Sequence, residues 1–281
     1  MAFTTIISIK CLADYLDDPN WVVVDCRFRL TEPDQGQKAY QQSHIRGAVY
    51  AHLDEDLSGP IIRGVTGRHP LPSVEKISAV FSSFGIDSET QVVAYDDLGG
   101  ALAAVRVWWL LRWLGHDAVA VLDGGWQAWE RAGFAVRGGI ERHKSRKFVP
   151  HPRDELIASA EDVERMRKNP RYLVLDARAA DRFRGENETI DPIAGHIPGA
   201  VSAPYADNLN PDGTFRSPES LRTMYRQILG DVSVRRVACY CGSGVTSVHD
   251  ILAMMMAGLG EARLYAGSYS EWITDPKRPV E

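Results

Sequence analysis

The stretch Val22-Val23-Val24-Asp25-Cys26-Arg27 recurs in the second half of the chain as Leu173-Val174-Leu175-Asp176-Ala177-Arg178. A second stretch, His44-Ile45-Arg46-Gly47-Ala48-Val49, recurs as His196-Ile197-Pro198-Gly199-Ala200-Val201, and the two stretches keep the same order in both halves. The two stretches recur after 151 and 152 residues, a period that is far too long for a solenoid repeat. The repetition therefore predicts two copies of one domain.

The predicted domain boundaries follow from the position of the repeats and of the turn-forming residues. The length of 281 residues agrees with two domains at ~150 residues each. Gly138-Gly139 and Pro150-His151-Pro152 interrupt the chain between the two copies. We expect an N-terminal domain at residues 1–138, a linker at 139–155 and a C-terminal domain at 156–281.

Short apolar runs alternate with helical patterns in each copy. The apolar runs have no alternating polar positions, which is typical of parallel strands that are covered by helices on both faces. The predicted class is therefore α/β, with two tandem domains that each contain a parallel sheet. The predicted strands lie at 22–24, Gln91–Tyr95, Ala118–Leu122, Tyr172–Leu175, Arg236–Tyr240 and Ala262–Tyr265, and predicted helices include Val74–Phe84, Ala101–Leu114 and Val245–Ala257.

Composition limits the partners and the compartment. The net charge of −5 provides no positive field for nucleic acid or an anionic membrane, so neither is an expected partner. Four cysteines are too few for a disulfide scaffold in a chain of this length, which indicates a reducing compartment. No stretch reaches the ~20 apolar residues of a membrane span, and the N-terminus lacks the pattern of a signal peptide. We therefore expect a soluble, cytoplasmic protein.

Cys241 lies at the most informative position in the chain. It follows the apolar run 236–240 and opens the stretch Cys241-Gly242-Ser243-Gly244-Val245-Thr246, which leads into a predicted helix. Ligands of open α/β sheets bind beyond the carboxyl ends of the strands. A glycine-rich turn into a helix directs unpaired backbone N–H groups at one point, where they favour a nucleophilic thiolate. Cys241 is thus predicted to be the nucleophile, and Gly242, Gly244, Val245 and Thr246 to bind the substrate.

Other interpretations of the cysteines are weaker. Cys241 could instead be a buried structural residue beside an ordinary turn. Cys239, Cys241 and His249 could bind a metal, but a second pair of ligands is missing from the pattern. We therefore expect no metal and no cofactor, and we expect Cys11 and Cys26 to be packing or surface residues.

The repeat places Asp97 of the first copy at the position of Cys241. The first copy would then keep the turn and lack the thiol, which predicts one active and one inactive domain.

The two repeated motifs and the Cys241–Thr246 stretch resemble the rhodanese superfamily, in particular its tandem-domain thiosulfate/3-mercaptopyruvate sulfurtransferases. The resemblance covers nearly the whole chain. It implies that the cysteine takes a sulfur atom from a donor, becomes a persulfide and passes the sulfur to cyanide or a thiol, either a small thiol or a thioredoxin-like protein. It also implies an inactive N-terminal domain and a catalytic C-terminal domain.

The resemblance bears on the donor. The thiosulfate branch of the family carries two bulky residues after the cysteine, typically Arg and Lys, whereas this chain has Gly242 and Ser243, as the mercaptopyruvate branch does. Arg182 matches the family arginine that binds the donor anion. In much of the mercaptopyruvate branch a second arginine lies nine residues further on, where this chain has Asp191. We therefore expect 3-mercaptopyruvate as the donor, with thiosulfate as the alternative.

The resemblance also implies a proton relay beside the cysteine. Ser243, His69 and Asp54 match its Ser, His and Asp, and Asp56 is the alternative for the last. Because His69 and Asp54 come from the first half of the sequence, we expect the site to lie between the two domains.

Two other functions are less consistent with the sequence. A cysteine-based phosphatase needs a His before the cysteine and an Arg six residues after it, but this chain has Tyr240 and Ser247 at these positions. A rhodanese-like binding module without activity is the non-enzymatic alternative, although such modules often lose the cysteine that this chain retains.

Overall fold

The chain divides into two compact units in a computed structural model that describes residues 2–281. The first unit contains residues 2–59, Pro72–Arg153 and Pro211–Phe215, and the second contains Pro60–Leu71, Asp154–Asn210 and Arg216–Glu281. The segment Pro60–Leu71 therefore belongs to the second unit although it stands in the first half of the sequence.

The first unit contains a parallel sheet in the order β1-β6-β5-β2-β4 and a separate antiparallel pair, β3 with β7. Its strands are β1 (Ile6–Ile7), β2 (Trp21–Asp25), β3 (His44–Ile45), β4 (Val49–Tyr50), β5 (Gln91–Tyr95), β6 (Val119–Leu122) and β7 (Val136–Arg137). Its helices are α1 (Ile9–Ala13), α2 (Gln35–Gln42), α3 (Val74–Ser83), α4 (Ala103–Trp113) and α5 (Gly125–Arg131).

The second unit contains a parallel sheet in the order β11-β10-β8-β9. Its strands are β8 (Leu173–Asp176), β9 (Val201–Ser202), β10 (Val237–Tyr240) and β11 (Arg263–Leu264). Its helices are α6 (Ala160–Met166), α7 (Ala180–Phe183), α8 (Pro218–Leu229), α9 (Ser247–Met256) and α10 (Ser268–Trp272), with 3-10 turns at Asp154–Leu156, Tyr205–Asn208 and Val234–Arg236.

The central strands are apolar on both faces because both faces are covered. All residues of β5 and β10 are buried, and helices α4 and α9 pack against β5 and β10 respectively. The predicted α/β class with helix-covered parallel sheets is confirmed. The predicted strands and helices named above agree with β2, β5, β6, β8, β10, β11, α3, α4 and α9 within about two residues at each end, the usual uncertainty of element boundaries.

A buried ion pair follows the second strand of the first unit and is repeated in the second unit. Arg27 Nη2 lies 2.7 Å from Asp25 Oδ2 in the first unit, and Arg178 Nη2 lies 2.7 Å from Asp176 Oδ2 in the second. Both carboxylates are fully buried. Each arginine also donates its backbone N–H to the same carboxylate, so that the pair closes the turn at the end of the strand.

Strand register corrects the predicted equivalence of Cys241. Asp25 pairs with Tyr95, and Asp176 pairs with Tyr240. The residue after Tyr240 is Cys241, so its counterpart is Asp96, and the prediction of Asp97 is wrong by one residue. The shift arises because Val237-Ala238 is identical to Val93-Ala94 in sequence, whereas the strand register makes Val92 the counterpart of Val237.

In the first unit, the side chain of Asp96 binds the backbone N–H groups of the equivalent turn. Its carboxylate is fully buried and accepts hydrogen bonds from the backbone N–H groups of Leu98, Gly100, Leu102 and Ala104, at 2.8 to 3.4 Å. A side-chain anion thus occupies the donors of the first turn, where the second unit has a thiol.

Helix α9 carries a buried carboxyl group, Asp250. Its Oδ1 accepts a hydrogen bond from Asn208 Nδ2 at 2.8 Å, while its Oδ2 has no hydrogen-bond partner among residues 2–281. Burial raises the pKa of Asp250 to about 8. In the unfolded chain the same group ionises near 3.8, so the folded state binds more protons between these two values and its stability falls as pH rises through them.

We expect Asp250→Asn to remove this loss of stability. The neutral amide can still accept the hydrogen bond from Asn208, and it has no ionised form to bury. The melting temperature of the variant should gain at least ~3 °C relative to the parent between pH 5 and pH 8, as measured by calorimetry. If the difference in melting temperature between variant and parent is the same at pH 5 and pH 8, Asp250 is ionised in the folded protein.

Candidate active site

The turn that carries Cys241 is fixed by hydrogen bonds to the first three residues of helix α10. The N–H of Cys241 donates to Ser268 Oγ at 3.1 Å, and its carbonyl accepts from the N–H of Tyr269 at 3.0 Å. The carbonyl of Gly242 accepts from the N–H of Ser270 at 2.9 Å. Cys241 is 2% exposed, so its thiol lies at the bottom of the turn, between the end of β10 and the start of α9.

Gly244 is required by the shape of this turn. Its φ is +76°, in the left-handed region that favours glycine, and a Cβ at this position would collide with the backbone carbonyl of Ala266. The chain between Cys241 and α9 can therefore follow this tight path only with glycine at position 244.

Backbone donors in the turn are available to a ligand. The N–H groups of Gly242, Ser243, Val245 and Thr246 make no hydrogen bond with any residue in the range 2–281. They precede a helix of ten residues, whose N-terminus carries partial positive charge. The turn thus has the donors and the field that stabilise a small anion.

Ser243 and His69 are brought together by the fold. Ser243 Oγ lies 2.7 Å from His69 Nδ1, and both side chains are buried. His69 belongs to the segment Pro60–Leu71, which is part of the second unit. This contact joins residues that are far apart in the sequence, and it gives the serine hydroxyl a partner for proton exchange.

Asp54 belongs to the first unit, where it is exposed. Its N–H donates to His52 Nδ1 at 3.2 Å. The alternative residue, Asp56, accepts a hydrogen bond from the N–H of His52 at 2.8 Å, and burial raises the pKa of Asp56. The participation of Asp54 in the relay stays a prediction.

Arg182 lies in a network of charges beside the turn. Its Nε and Nη2 donate to Glu188, and Nη2 also donates to Asp191 Oδ2 at 3.0 Å. Asp191 Oδ1 accepts from Arg68 Nη1. Burial raises the pKa of Glu188, but the N–H groups of Ile190 and Asp191 and the Arg182 guanidinium outweigh it, so the pKa is lowered. Two arginines and two acidic residues therefore form one connected cluster.

The cluster faces Gly242. A Cβ at Gly242 would lie 2.7 Å from Arg68 Nη2 and 3.8 Å from both terminal nitrogens of Arg182. The space that a side chain would fill at position 242 is thus already occupied by a guanidinium group.

Two other cysteines, Cys239 and Cys26, are fully buried. Burial raises the pKa of Cys239 well above its ordinary value, and the charges of Asp250 and Cys241 raise it further. Burial likewise raises the pKa of Cys26. Both are kept as neutral thiols at pH 7, so they do not compete as nucleophiles.

Neither a cluster of metal ligands nor a membrane-spanning helix is present in the described chain, residues 2–281. Residues 2–281 contain no group of three or more His, Cys, Asp or Glu side chains that could hold a metal ion. Within the same residues, no helix combines the length and the apolar character that a membrane span requires.

Similar proteins agree with the fold and with the repeat. The family model of the rhodanese-like domain matches residues 8–132 and again residues 159–275. The chain belongs to the tandem rhodanese-like sulfurtransferases. It is therefore an enzyme, and the alternative of a binding module without activity is wrong.

Three relatives of this rhodanese-like sulfurtransferase illustrate the range of donors. The chain is 46% identical to the Pseudomonas aeruginosa "Probable 3-mercaptopyruvate sulfurtransferase" over 281 residues, which is 100% of this chain and 99% of that protein. It is 31% identical to a Rattus norvegicus "Thiosulfate sulfurtransferase", covering 96% of this chain and 92% of that protein. The 3-mercaptopyruvate sulfurtransferase structure from Leishmania major superimposes with a TM-score of 0.85 at 31% identity, covering 99% of this chain and 76% of that one.

Some residues of the site were not found from the rhodanese motifs alone. Arg68, Glu188, Ser268 and Ser270 all contact the turn or the cluster beside it, yet none was predicted. Arg68 directly precedes His69, so its position next to a predicted site residue could have indicated that it also lies at the site. Ser268 and Ser270 are placed by backbone hydrogen bonds, which leave no pattern in a single sequence.

We expect Gly244→Ala to abolish most sulfurtransferase activity. The methyl group adds a collision with Ala266 to the cost of a left-handed alanine, about 1–2 kcal/mol. Displacement of the turn should then lower kcat/KM at least ~100-fold in a cyanide-dependent thiocyanate assay. Gly213→Ala is the matched control, because Gly213 has φ +86° and open space around its Cβ position. Equal losses in the two variants would refute the steric requirement at Gly244.

Proposed function

We propose that this enzyme transfers sulfur from 3-mercaptopyruvate to a thiol or to cyanide through a persulfide on Cys241. The observation that carries the proposal is the position of Cys241 in a glycine-rich turn before α9, next to the hydrogen-bonded pair Ser243 and His69. The acceptor is proposed to be a small thiol, a thioredoxin-like protein or cyanide. We further propose that the C-terminal copy is catalytic, that the N-terminal copy is inactive and that the enzyme is cytoplasmic.

The first step is a displacement at sulfur. The Cys241 thiolate attacks the donor sulfur, the new S–S bond forms and the C–S bond of mercaptopyruvate breaks. The electron pair of that bond goes to the departing carbon, which leaves as the enolate of pyruvate. We propose that the thiol proton of the donor is lost to solvent, so that the outer sulfur of the persulfide is an anion, and that the N–H groups of Gly242, Val245 and Thr246 stabilise its negative charge.

The second requirement is a proton for the enolate. We propose that the Ser243 hydroxyl donates it and recovers a proton from His69, with Asp54 as the expected third member of the relay. The 2.7 Å separation of Ser243 Oγ and His69 Nδ1 is within the reach of general acid–base catalysis. In the last step an acceptor thiolate or cyanide attacks the outer sulfur, and Cys241 leaves as the thiolate.

The charge beside the turn favours a donor with a single negative charge. Arg68 and Arg182 are balanced by Glu188 and Asp191, so the cluster has no net positive charge. A doubly charged anion would meet the Asp191 carboxylate without a matching excess of cations. Mercaptopyruvate carries one carboxylate, and thiosulfate carries two charges, so this balance supports mercaptopyruvate. Thiosulfate is the alternative.

We expect Cys241→Ala to lose the persulfide and essentially all activity. Intact-protein mass spectrometry after treatment with 3-mercaptopyruvate should show one added sulfur, about 32 Da, on the parent and none on the variant. Cys11→Ser is the matched control, because Cys11 is partly exposed and should keep the added sulfur. An added sulfur on Cys241→Ala would assign the nucleophile to another cysteine.

We expect Ser243→Ala to affect the two donors differently. The kcat with 3-mercaptopyruvate should fall about 10- to 100-fold, because the enolate loses its proton donor. The kcat with thiosulfate should change less than about threefold. Its leaving group is sulfite, a stable anion that does not have to be protonated at carbon.

Ser220→Ala serves as the control for the loss of a serine hydroxyl, because Ser220 is exposed on α8. Its kinetics with both donors should match those of the parent. An equal loss with both donors in Ser243→Ala would rule out the enolate role, and a much higher kcat/KM of the parent with thiosulfate would replace the proposed donor.

A further inference from the structure

We propose that a cavity in the first unit binds a free basic amino acid, held between two unpaired carboxylates and two nitrogen donors. The cavity has a volume of about 440 Å³, which is within the ~300–1,000 Å³ of small-molecule sites. All of its described lining residues belong to the first unit, and none of them belongs to the Cys241 turn. The inference therefore goes beyond the proposed function and does not depend on it.

The imidazole ring of His52 provides one of the nitrogen donors. His52 lines the cavity and is 6% exposed. Its Nδ1 accepts the backbone N–H groups of Asp54 and Glu55, at 3.2 and 3.3 Å, so the neutral ring carries its proton on Nε2. Nε2 makes no hydrogen bond with any of residues 2–281. Because a buried donor without an acceptor is costly, this N–H group favours an acceptor within the cavity.

Two carboxylates of the cavity have free acceptor atoms. Asp56 uses Oδ2 to accept the N–H of His52 at 2.8 Å, and its Oδ1 has no hydrogen-bond partner in the described chain. Glu55 is exposed, and its side chain makes no ion pair or hydrogen bond within residues 2–281. Glu141 also lines the cavity, but its carboxylate pairs with Arg137 at 3.0 Å. Asp56 and Glu55 are therefore the carboxylates that remain for positive groups of a ligand.

Arg142 provides the second nitrogen donor. It lines the cavity, is exposed and makes no ion pair with residues 2–281. A guanidinium and an imidazole N–H together suit the two oxygens of a carboxylate. Two unpaired carboxylates and one unpaired guanidinium thus match a ligand with two positive groups and one negative group. This is the charge pattern of a basic amino acid at pH 7.

Tyr40 and Tyr50 provide apolar surface for the carbon chain of the ligand. Both rings line the cavity, and their centres lie 5.4 Å apart. Their hydroxyl groups are engaged elsewhere: Tyr40 Oη donates to the carbonyl of Ala48 at 2.9 Å, and Tyr50 Oη donates to the carbonyl of Arg27 at 3.0 Å. The ring faces are therefore available to a ligand, and such faces pack against methylene groups and attract an ammonium group.

The segment that carries Arg142 is attached to the rest of the first unit on both sides of this residue. The N–H of Glu141 donates to Tyr40 Oη at 2.9 Å. His143 Nε2 donates to the carbonyl of Gly47 at 2.8 Å. The wall of the cavity is thus formed before a ligand arrives, which reduces the entropy lost on binding.

The test is calorimetric titration of the full chain with L-lysine. We expect a saturable heat with a dissociation constant below about 1 mM. L-Norleucine lacks the side-chain ammonium and cadaverine lacks the carboxylate, so each should bind at least about tenfold more weakly than L-lysine. The absence of a saturable heat up to ~10 mM L-lysine would overturn the inference. Norleucine or cadaverine binding as tightly as L-lysine would also overturn it.

Asp56→Asn tests the contact with an ammonium group. The amide oxygen can still accept the N–H of His52, whereas the negative charge is lost. The dissociation constant for L-lysine should rise at least about tenfold, the effect of losing a charge-assisted hydrogen bond. Glu130→Gln is the matched control, because Glu130 is exposed on α5 and does not line the cavity; its affinity should equal that of the parent. An unchanged affinity in Asp56→Asn would refute the site.

His52→Asn tests the contact with the carboxylate and stays informative if Asp56→Asn folds poorly. Asparagine has an amide oxygen that can replace Nδ1 as the acceptor of the backbone N–H groups, and it has no counterpart of Nε2. The affinity for L-lysine should fall about 5- to 10-fold, while that for cadaverine, which has no carboxylate, should change less than about twofold. An equal loss for both ligands, or no loss for L-lysine, would contradict the assignment.

Discussion

The buried ion pair of Asp176 and Arg178 connects the sheet of the second unit to the surroundings of Cys241. The Arg178 guanidinium lies 2.7 Å from Asp176 and 4.2 Å from the centre of the Tyr269 ring. The backbone N–H of Tyr269 donates a hydrogen bond to the carbonyl of Cys241. Removing one partner of such a buried pair costs about 3–5 kcal/mol, because the other charge is left unpaired. The turn therefore depends on charges that are buried below the surface.

The same pair leads to the arginines beside the turn. Arg178 also lies 3.4 Å from Glu188, which orients Arg182. Glu188 is kept ionised by backbone N–H groups and by Arg182 against the cost of burial. The charges thus alternate in sign from the interior to the site. Donors that are oriented before the ligand arrives need little reorganisation during the reaction, which is the main source of electrostatic catalysis.

The two copies show how one turn can serve two purposes. In the first copy, the Asp96 carboxylate accepts hydrogen bonds from four backbone N–H groups. In the second copy the equivalent residue is Cys241, and backbone N–H groups of the turn have no protein acceptor within residues 2–281. Burial raises the pKa of Asp96 to about 6, partly offset by the hydrogen bonds to its carboxylate. The repeat indicated that the copies differ here, but the equivalent residue needed the strand register, because Val92 and Val93 both match Val237 in the sequence.

Local patterns in the sequence were sufficient for the six predicted strands, for helices α3, α4 and α9 and for the glycine-rich turn at Cys241. Apolar runs such as Val237–Tyr240 specify buried parallel strands, and a glycine before a helix specifies a tight turn, because both depend on neighbours in the chain. The meeting of His69 with Ser243, and of Arg68 with Asp191 and Arg182, depended on where Pro60–Leu71 packs. That placement results from burial and charge pairing between distant segments, and these interactions leave no periodicity in a single sequence.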